Sequence, residues 1–152
     1  GDYYPEAYGD DYIYGQQDGG SFVFVNGGYR RVLVGDGGSM FINKQDPSKS
    51  FGCTQRGNLK FSSNALDANN FGYTQVGASI QGDYPNFITQ FAGNNADGSQ
   101  MYIPTNTTIQ RTLDDGASFS SIASHGLSAV KIATEEAVDP VVTTTLRVFA
   151  SA

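Results

Sequence analysis

Residues that carry chemistry are scarce in this 152-residue sequence, which has one cysteine, one histidine and no tryptophan. A disulfide needs two cysteines, so Cys53 cannot form one within the chain and is expected to be a small, semi-buried side chain. A structural zinc site needs several Cys or His ligands, whereas Cys53 and His125 stand alone and far apart. The sequence therefore excludes an intrachain disulfide and a structural zinc site, and we expect no cofactor.

Charge is also sparse, since charged residues make up 16% of the chain and globular proteins have about 25%. The net charge is −6, and the nine Lys and Arg residues are scattered. Nucleic-acid binding draws its affinity from clustered basic residues. No segment approaches the roughly 20 apolar residues that cross a bilayer, and no signal peptide is visible. We expect binding neither to nucleic acid nor to a membrane.

No catalytic constellation stands out. His125 is the only imidazole base, and no Gly-x-Ser-x-Gly motif accompanies it. The carboxylate doublets Asp10-Asp11, Asp114-Asp115 and Glu135-Glu136 are adjacent pairs, which point to opposite faces of a strand and do not form the facing pair of a glycosidase. The sequence predicts that the chain is not an enzyme and that His125 has a cap or surface role.

Two glycine-rich segments invite ligand-binding interpretations. Gly35-Asp36-Gly37-Gly38 lacks the spacing of a phosphate loop and is predicted to be a turn. If Gly98 is aligned with the glycine of an EF-hand loop, Gly93 and Pro104 fall on ligand positions, which excludes that motif. An irregular calcium site remains an alternative for this segment.

Residues 1–20 form a separate compositional block that contains five tyrosines and five acidic residues but neither Lys nor Arg. The block has no apolar periodicity long enough to build a core. We predict an extended arm over residues 1–20, lying on its own body or on a neighbouring subunit, and a single β domain over residues 21–152. Deleting Asp2 to Asp18 is then expected to leave a folded body. The predicted assembly contacts are Tyr3, Tyr4, Tyr8, Tyr12 and Tyr14.

A β-meander is predicted to follow the arm. Asn26-Gly27 separates the apolar runs 22–25 and 29–34, and Asn-Gly between such runs indicates a hairpin because both turn positions need positive φ. The run from Phe22 to Val25 is apolar on both faces, so we expect a strand that is central or covered on both sides, with Phe24 in the core.

The remaining sequence also indicates β-structure. Residues 43–106 are expected to form long loops with short, irregular strands, and residues 107–113, 127–133 and 143–149 alternate like half-buried antiparallel strands. Phe119, Ile122 and Ala123 have helical spacing after Ser118, which allows at most one short helix, ending at Gly126. The predicted fold is all-β, an antiparallel β-sandwich or a jelly-roll-like barrel.

In composition and layout, through the Tyr/Gly-rich residues 1–20 and the strand-rich residues 107–149, the chain resembles small structural proteins of tailed-phage virions, in particular capsid decoration or cement proteins. The resemblance implies a homo-oligomer, with a trimer favoured, that binds a major capsid or other shell protein and is located in the virion.

Two other functions stay open. One is a secreted carbohydrate-binding or adhesive β-domain, in which exposed tyrosines stack on sugar rings. The other is a pilus-like surface-filament subunit, in which the arm pairs with the next protomer by strand addition. Both would place the chain outside the cell or on its surface.

Overall fold

A computed structural model describes residues 6–67, 69–70, 72–80, 82–83, 87–88, 90–94, 97–126, 131–138 and 144–151. Side chains are described from residue 9 to residue 126 within these ranges. The described chain is built from antiparallel strands and one turn of 3-10 helix, Ala78–Ile80. The predicted all-β class is confirmed.

Sheet I is a four-stranded meander in which each strand pairs with the next along the chain. Its second hairpin turn is Asn26-Gly27, with φ of 51° and 76°, as the Asn-Gly signal predicted. The four strands are β1 (Glu6–Tyr8), β2 (Asp11–Gln16), β3 (Gly20–Val25) and β4 (Gly28–Leu33).

Sheets II and III are further four-stranded meanders, and a two-stranded hairpin follows them. Sheet II contains β5 (Gly37–Ile42), β6 (Ser50–Thr54), β7 (Asn58–Ser62) and β8 (Thr74–Gln75). Sheet III contains β9 (Ala92–Gly93), β10 (Met101–Pro104), β11 (Thr108–Thr112) and β12 (Ser120–Ser124). The hairpin pairs β13 (Lys131–Val138) with β14 (Thr144–Ser151), and β13 lies against β9 and β10.

Sheet II has apolar side chains on both of its faces. On β5, Met40 and Ile42 pack with sheet I, whereas Phe41 points to the opposite side. The core between sheets I and II contains Ile13, Val23, Val25, Leu33, Met40 and Ile42. The core on the other face of sheet II contains Phe41, Phe51, Cys53, Leu59, Ile80, Phe91, Met101 and Ile103. Sheet II is therefore covered by sheet I on one side and by sheet III residues on the other, which explains why all five residues of β6 are buried.

Glycines let sheets I and II approach closely. A Cβ on Gly15 would lie 1.9 Å from the carbonyl oxygen of Gly38, and a Cβ on Gly37 would lie 2.1 Å from that of Gly20. No other residue type fits such backbone contacts without displacing a strand. The predicted turn at residues 35–38 thus also places the start of β5 against β2 and β3.

The structure does not confirm the extended N-terminal arm. Residues 6–8 and 11–16 form β1 and β2 within sheet I, and Ile13 is completely buried between sheets I and II. Tyr12-Ile13-Tyr14 alternates like a half-buried strand, but three residues are too few to distinguish a strand from a loop without knowing that β3 pairs with them. Residues 1–5 lie outside the described residues.

The predicted short helix near Ser118 is wrong, because Ser120–Ser124 forms β12 instead. The Asp114 carboxylate accepts hydrogen bonds from the amide and the hydroxyl of Ser118, both at the distances of firm hydrogen bonds, 2.9 and 2.6 Å. Ser118 therefore belongs to the preceding turn, and the backbone after it pairs with β11.

The other sequence predictions agree in part. Strands appear where residues 22–25, 29–34, 107–113 and 143–149 predicted them, while only residues 131–133 of the segment 127–133 are described. The long-loop interpretation of residues 43–106 missed β6, which is fully buried. The choice between a sandwich and a jelly-roll-like barrel is not confirmed. Every strand pair in the described sheets is consecutive along the chain, whereas a jelly roll contains crossover connections.

Candidate functional site: the aromatic face of sheet I

Sheet I exposes aromatic side chains on the face that points away from sheet II. Strand residues alternate between faces, so Ile13 and Val23 enter the core while their neighbours point outward. Among the described elements, sheet I makes its main contacts with β5 and β6, which belong to the sheet on its core side. We call the outward residues the aromatic face: Tyr12, Tyr14, Phe22, Phe24 and Tyr29.

Strand register arranges this face in two cross-strand rows. Tyr12, Phe24 and Tyr29 stand opposite one another on β2, β3 and β4. Tyr14 and Phe22 form the second row, which Arg31 completes on β4. Directly opposed side chains in antiparallel strands are close enough to interact, so each row stabilises the sheet that carries it.

Aromatic rings on adjacent strands stack against each other. The Tyr12 and Phe24 rings are 4.9 Å apart at 17°, and the Tyr14 and Phe22 rings are 5.2 Å apart at 17°. Tyr29 closes the first row with its ring 4.9 Å from Phe24 at 60°. Because stacked rings cover each other's faces, the surface between the strands presents mainly ring edges and hydroxyls.

Tyr12 and Tyr29 also share a hydrogen bond between their hydroxyls. This bond is the main cause that raises the pKa of Tyr12 to about 12, with desolvation as a smaller contribution. Tyr29 remains 62% exposed despite the contact. The Tyr12 phenol therefore stays neutral in ordinary buffers, and its hydrogen bond to Tyr29 joins β2 and β4 above Phe24.

The two ends of the face differ in charge. A shallow, open depression of about 460 Å³ lies at one end, lined by Gly9, Asp10, Asp11, Phe24, Asn26 and Gly27. The Asp11 carboxylate accepts a hydrogen bond from the amide of Asn26 at 3.3 Å, while Asp10 is exposed. At the diagonally opposite corner, Arg31 extends beside Gly20, where a Cβ would be 3.2 Å from Nε. The face is therefore acidic at one corner and basic at the other.

The five tyrosines predicted as contacts have different outcomes. Tyr12 and Tyr14 lie together on the aromatic face, Tyr3 and Tyr4 lie outside the described residues, and only the backbone of Tyr8 is described. Their role in assembly stays a prediction. The sequence interpretation did not associate Phe22, Phe24 and Tyr29 with the site. The available signal was the repeated aromatic alternation at residues 12–14 and 22–24 on either side of a glycine turn.

Phe24 and its neighbour Phe22 are half-buried, so the expected coverage on both sides of β3 holds for one face only. Val23 and Val25 enter the core, whereas the two phenylalanines are covered by neighbouring rings of the same sheet. β3 is central in sheet I, as predicted.

The thiol, carboxyl and imidazole residues that can carry out chemistry or bind a ligand make contacts within the fold. Cys53 is completely buried, and burial raises the pKa of its thiol to about 12. Hydrogen bonds from Ser118 lower the pKa of the Asp114 carboxyl, and hydrogen bonds from Ser99 and Gln100 lower that of Asp97. The amide of His125 donates to the Thr107 carbonyl at 2.8 Å, at the end of β12.

The described residues contain neither a metal-binding group of side chains nor a membrane-spanning helix. No group of three or more His, Cys, Asp or Glu side chains in this part of the chain is placed to hold a metal ion. No helix among the same residues has the length and apolarity to span a membrane. A comparison with models of protein families gives no match for this chain, and a comparison with curated proteins gives none either.

Proposed function

We propose that this chain is a structural subunit of a larger assembly and that it makes a principal contact through the aromatic face of sheet I. The supporting observation is the composition of that face. The outward face of an antiparallel sheet normally alternates to polar residues, whereas this one carries five aromatic residues. Tyrosine and phenylalanine supply large contact areas at a low cost in side-chain entropy, and they are enriched at protein interfaces.

The particular assembly that we propose is a virion, in which the chain is a capsid decoration or cement subunit that contacts itself and a shell protein. Few charged residues and an abundance of Gly, Ser, Asn and Gln suit close packing among neighbours, since Lys and Glu are depleted at interface cores. Sheets I and II, which pack over one apolar core, would supply the predicted sandwich.

A double variant of the aromatic face and a single control variant elsewhere on the surface test the proposal. Tyr14→Ser with Tyr29→Ser removes two rings of the aromatic face, and Phe87→Ser is the control because its ring is 49% exposed on another part of the surface. We expect the double variant to fold but to lose binding to purified virions of the source phage in co-sedimentation, while the control binds normally. Equal binding by all three proteins would contradict the proposed contact.

The virion assignment has its own test. Immunogold labelling with an antibody against the chain should decorate purified virions and not the surface of uninfected cells. Label confined to the cell surface or to secreted material would overturn the virion assignment in favour of an adhesive or filament role.

The proposal includes the absence of catalysis. We expect the parent chain to turn over no substrate in a panel of glycosides, esters and peptides, and His125→Ala to assemble like the parent. Turnover that is present in the parent and lost in His125→Ala would overturn this part of the proposal.

A second candidate function is carbohydrate binding, which the depression beside Phe24 favours. Asp10, Asp11 and Asn26 provide carboxylate and amide groups that can bind sugar hydroxyls next to aromatic rings. Against it, each stacked pair covers one face of both of its rings, which leaves less ring face for a sugar. A glycan array settles the choice: binding that is lost in Asp10→Ala/Asp11→Ala would support this candidate, and no bound glycan would dismiss it.

A further inference from the structure

The charge and shape of the aromatic face indicate which partner binds there. This inference rests on the proposed function, because it names the partner of that same contact surface. We infer that the aromatic face binds the aromatic face of a second copy of this chain, in a twofold-symmetric dimer in which Arg31 of each copy meets Asp10 of the other.

The first step is charge complementarity. Asp10 is exposed in the β1–β2 turn at one corner of the face, beside Phe24 in the shallow depression, and Arg31 lies on β4 at the diagonally opposite corner. Strand alternation places Asp11 on the Ile13 side of β2, so it takes no part in this contact. The Asp36 carboxylate keeps its charge when it accepts a hydrogen bond from the backbone amide of Asp18 at 2.8 Å. It lies in the connection from β4 to β5, where its own amide donates to Gln55 beside sheet II, and so it is on the side of sheet I away from the aromatic face. A face with opposite charges at opposite corners is complementary to itself.

The second step is symmetry. A twofold axis makes residue i contact residue j and residue j contact residue i, so one operation forms both charge contacts. An axis that lies between the faces and exchanges the two charged corners makes the strands of the two copies cross at nearly 90°. Orthogonal crossing is one of the two usual ways in which sheets pack face to face.

The third step concerns the rings. Ring edges carry partial positive charge and ring faces partial negative charge, so aromatic surfaces interlock edge to face. Stacked pairs such as Tyr12 with Phe24 offer edges along their tops and ring faces at the ends of the rows. A second aromatic face fits this pattern better than a polar ligand does.

The size of the face sets the expected strength. With strands about 4.8 Å apart and a rise of about 3.3 Å per residue, the face measures roughly 14 by 17 Å. Stable interfaces bury about 800 Å² per partner, so this contact by itself is weak. It becomes effective when many copies stand side by side in an assembly.

The experiment is sedimentation equilibrium of the full chain from about 10 µM to about 1 mM, the range in which weak complexes form. We expect a reversible monomer–dimer equilibrium that weakens when salt is raised from about 0.05 to about 0.5 M, because exposed charge pairs are screened. Arg31→Glu should weaken the dimer about tenfold or more, since like charges then face each other. Asp10→Arg should do the same, and the combined charge swap should restore dimerisation.

A control variant and a further test variant distinguish this contact from general effects of charge and of sheet stability. Arg56→Glu makes the same charge change on an exposed residue outside sheet I and should leave the dimer unchanged. Tyr29→Ser should abolish the dimer while the far-UV circular dichroism stays that of the parent. If Tyr29→Ser only lowers the unfolding temperature and a dimer persists, the rings serve the stability of sheet I and the inference is wrong.

The outcomes also distinguish this inference from the function on which it rests. A chain that stays monomeric at every concentration, or forms a trimer, overturns the twofold dimer. If such a chain still loses virion binding in Tyr14→Ser/Tyr29→Ser, the face binds a shell protein and the proposed function stands. If neither self-association nor virion binding depends on the face, both are wrong.

Discussion

The aromatic residues of this chain differ in burial, so their removal should lower the free energy of unfolding by different amounts. Phe51 is 1% exposed in the core of sheet II, with the Phe61 ring 5.0 Å away, whereas Phe87 is 49% exposed. We predict that Phe51→Ala lowers the free energy of unfolding by about 3–5 kcal/mol through lost burial and a cavity. Phe87→Ala should change it by about 0.5 kcal/mol or less.

Urea denaturation of both variants measures the difference. The sequence placed Phe24 in the core, but its ring is half-buried between Tyr12 and Tyr29. The loss in free energy of unfolding for Phe24→Ala should therefore lie between the losses for Phe51→Ala and Phe87→Ala. A cost for Phe24→Ala equal to that for Phe51→Ala would mean that the outward face of sheet I is covered as completely as the core.

The thiol of Cys53 provides a second prediction at the residue scale. Burial raises its pKa from 9.0 to about 12, so the native state keeps a proton that the unfolded state releases earlier as the pH rises. This contribution to stability is therefore present below about pH 9 and is lost between about pH 9 and pH 12. The thiolate is the reactive form, so native Cys53 should resist thiol reagents at pH 8 and react rapidly in urea.

Mass spectrometry after timed labelling checks this directly. The parent in buffer should stay unmodified over the period in which the same protein in urea becomes fully labelled. Rapid modification of the native chain would show that Cys53 is accessible, contrary to its complete burial.

At the scale of the elements, the close approach of sheets I and II depends on glycine. Gly15→Ala would place a Cβ 1.9 Å from the Gly38 carbonyl oxygen, and a backbone atom cannot move aside as a flexible side chain can. We predict a loss of at least about 1–3 kcal/mol in the free energy of unfolding. Gly72→Ala is the matched control, because nothing lies within 4 Å of its added Cβ.

The control should be neutral or stabilising by up to about 1 kcal/mol, since alanine lowers the entropy of the unfolded chain. Thermal unfolding followed by circular dichroism measures both variants. Equal melting temperatures would mean that the strands of the two sheets are free to separate at Gly15.

At the scale of the whole molecule, the described part of the N-terminal block, residues 6–20, belongs to sheet I. The sequence predicted that deleting Asp2 to Asp18 leaves a folded body, but the deletion removes β1, β2 and the fully buried Ile13. We now predict that this deletion exposes Val23 and Val25 and abolishes cooperative thermal unfolding. Deleting residues 1–5 alone should preserve it, and a cooperative transition in the longer deletion would restore the arm hypothesis.

The sequence by itself determined the local features of this protein. Asn26-Gly27 and Gly35 marked turns because positive φ is a property of one or two residues, whereas Gly37 and Gly38 begin β5. Alternation over residues 107–113 marked a strand because side-chain direction repeats within the strand. The same local reasoning failed at Ser120–Ser124, where helical spacing and strand pairing competed and pairing with β11 prevailed.

Only the tertiary structure decided which side of each strand faces a partner. Phe22 to Val25 is apolar on both faces, so the choice of Val23 for the core and Phe24 for the surface depends on the register with β2 and β4. Likewise, Ile13 is buried because sheet II covers it, and all of β6 is buried because both faces of sheet II are covered. Such choices arise from contacts between residues distant in sequence, and for this reason the sequence predicted a β protein with tyrosine contacts but not the aromatic face that β2, β3 and β4 build together.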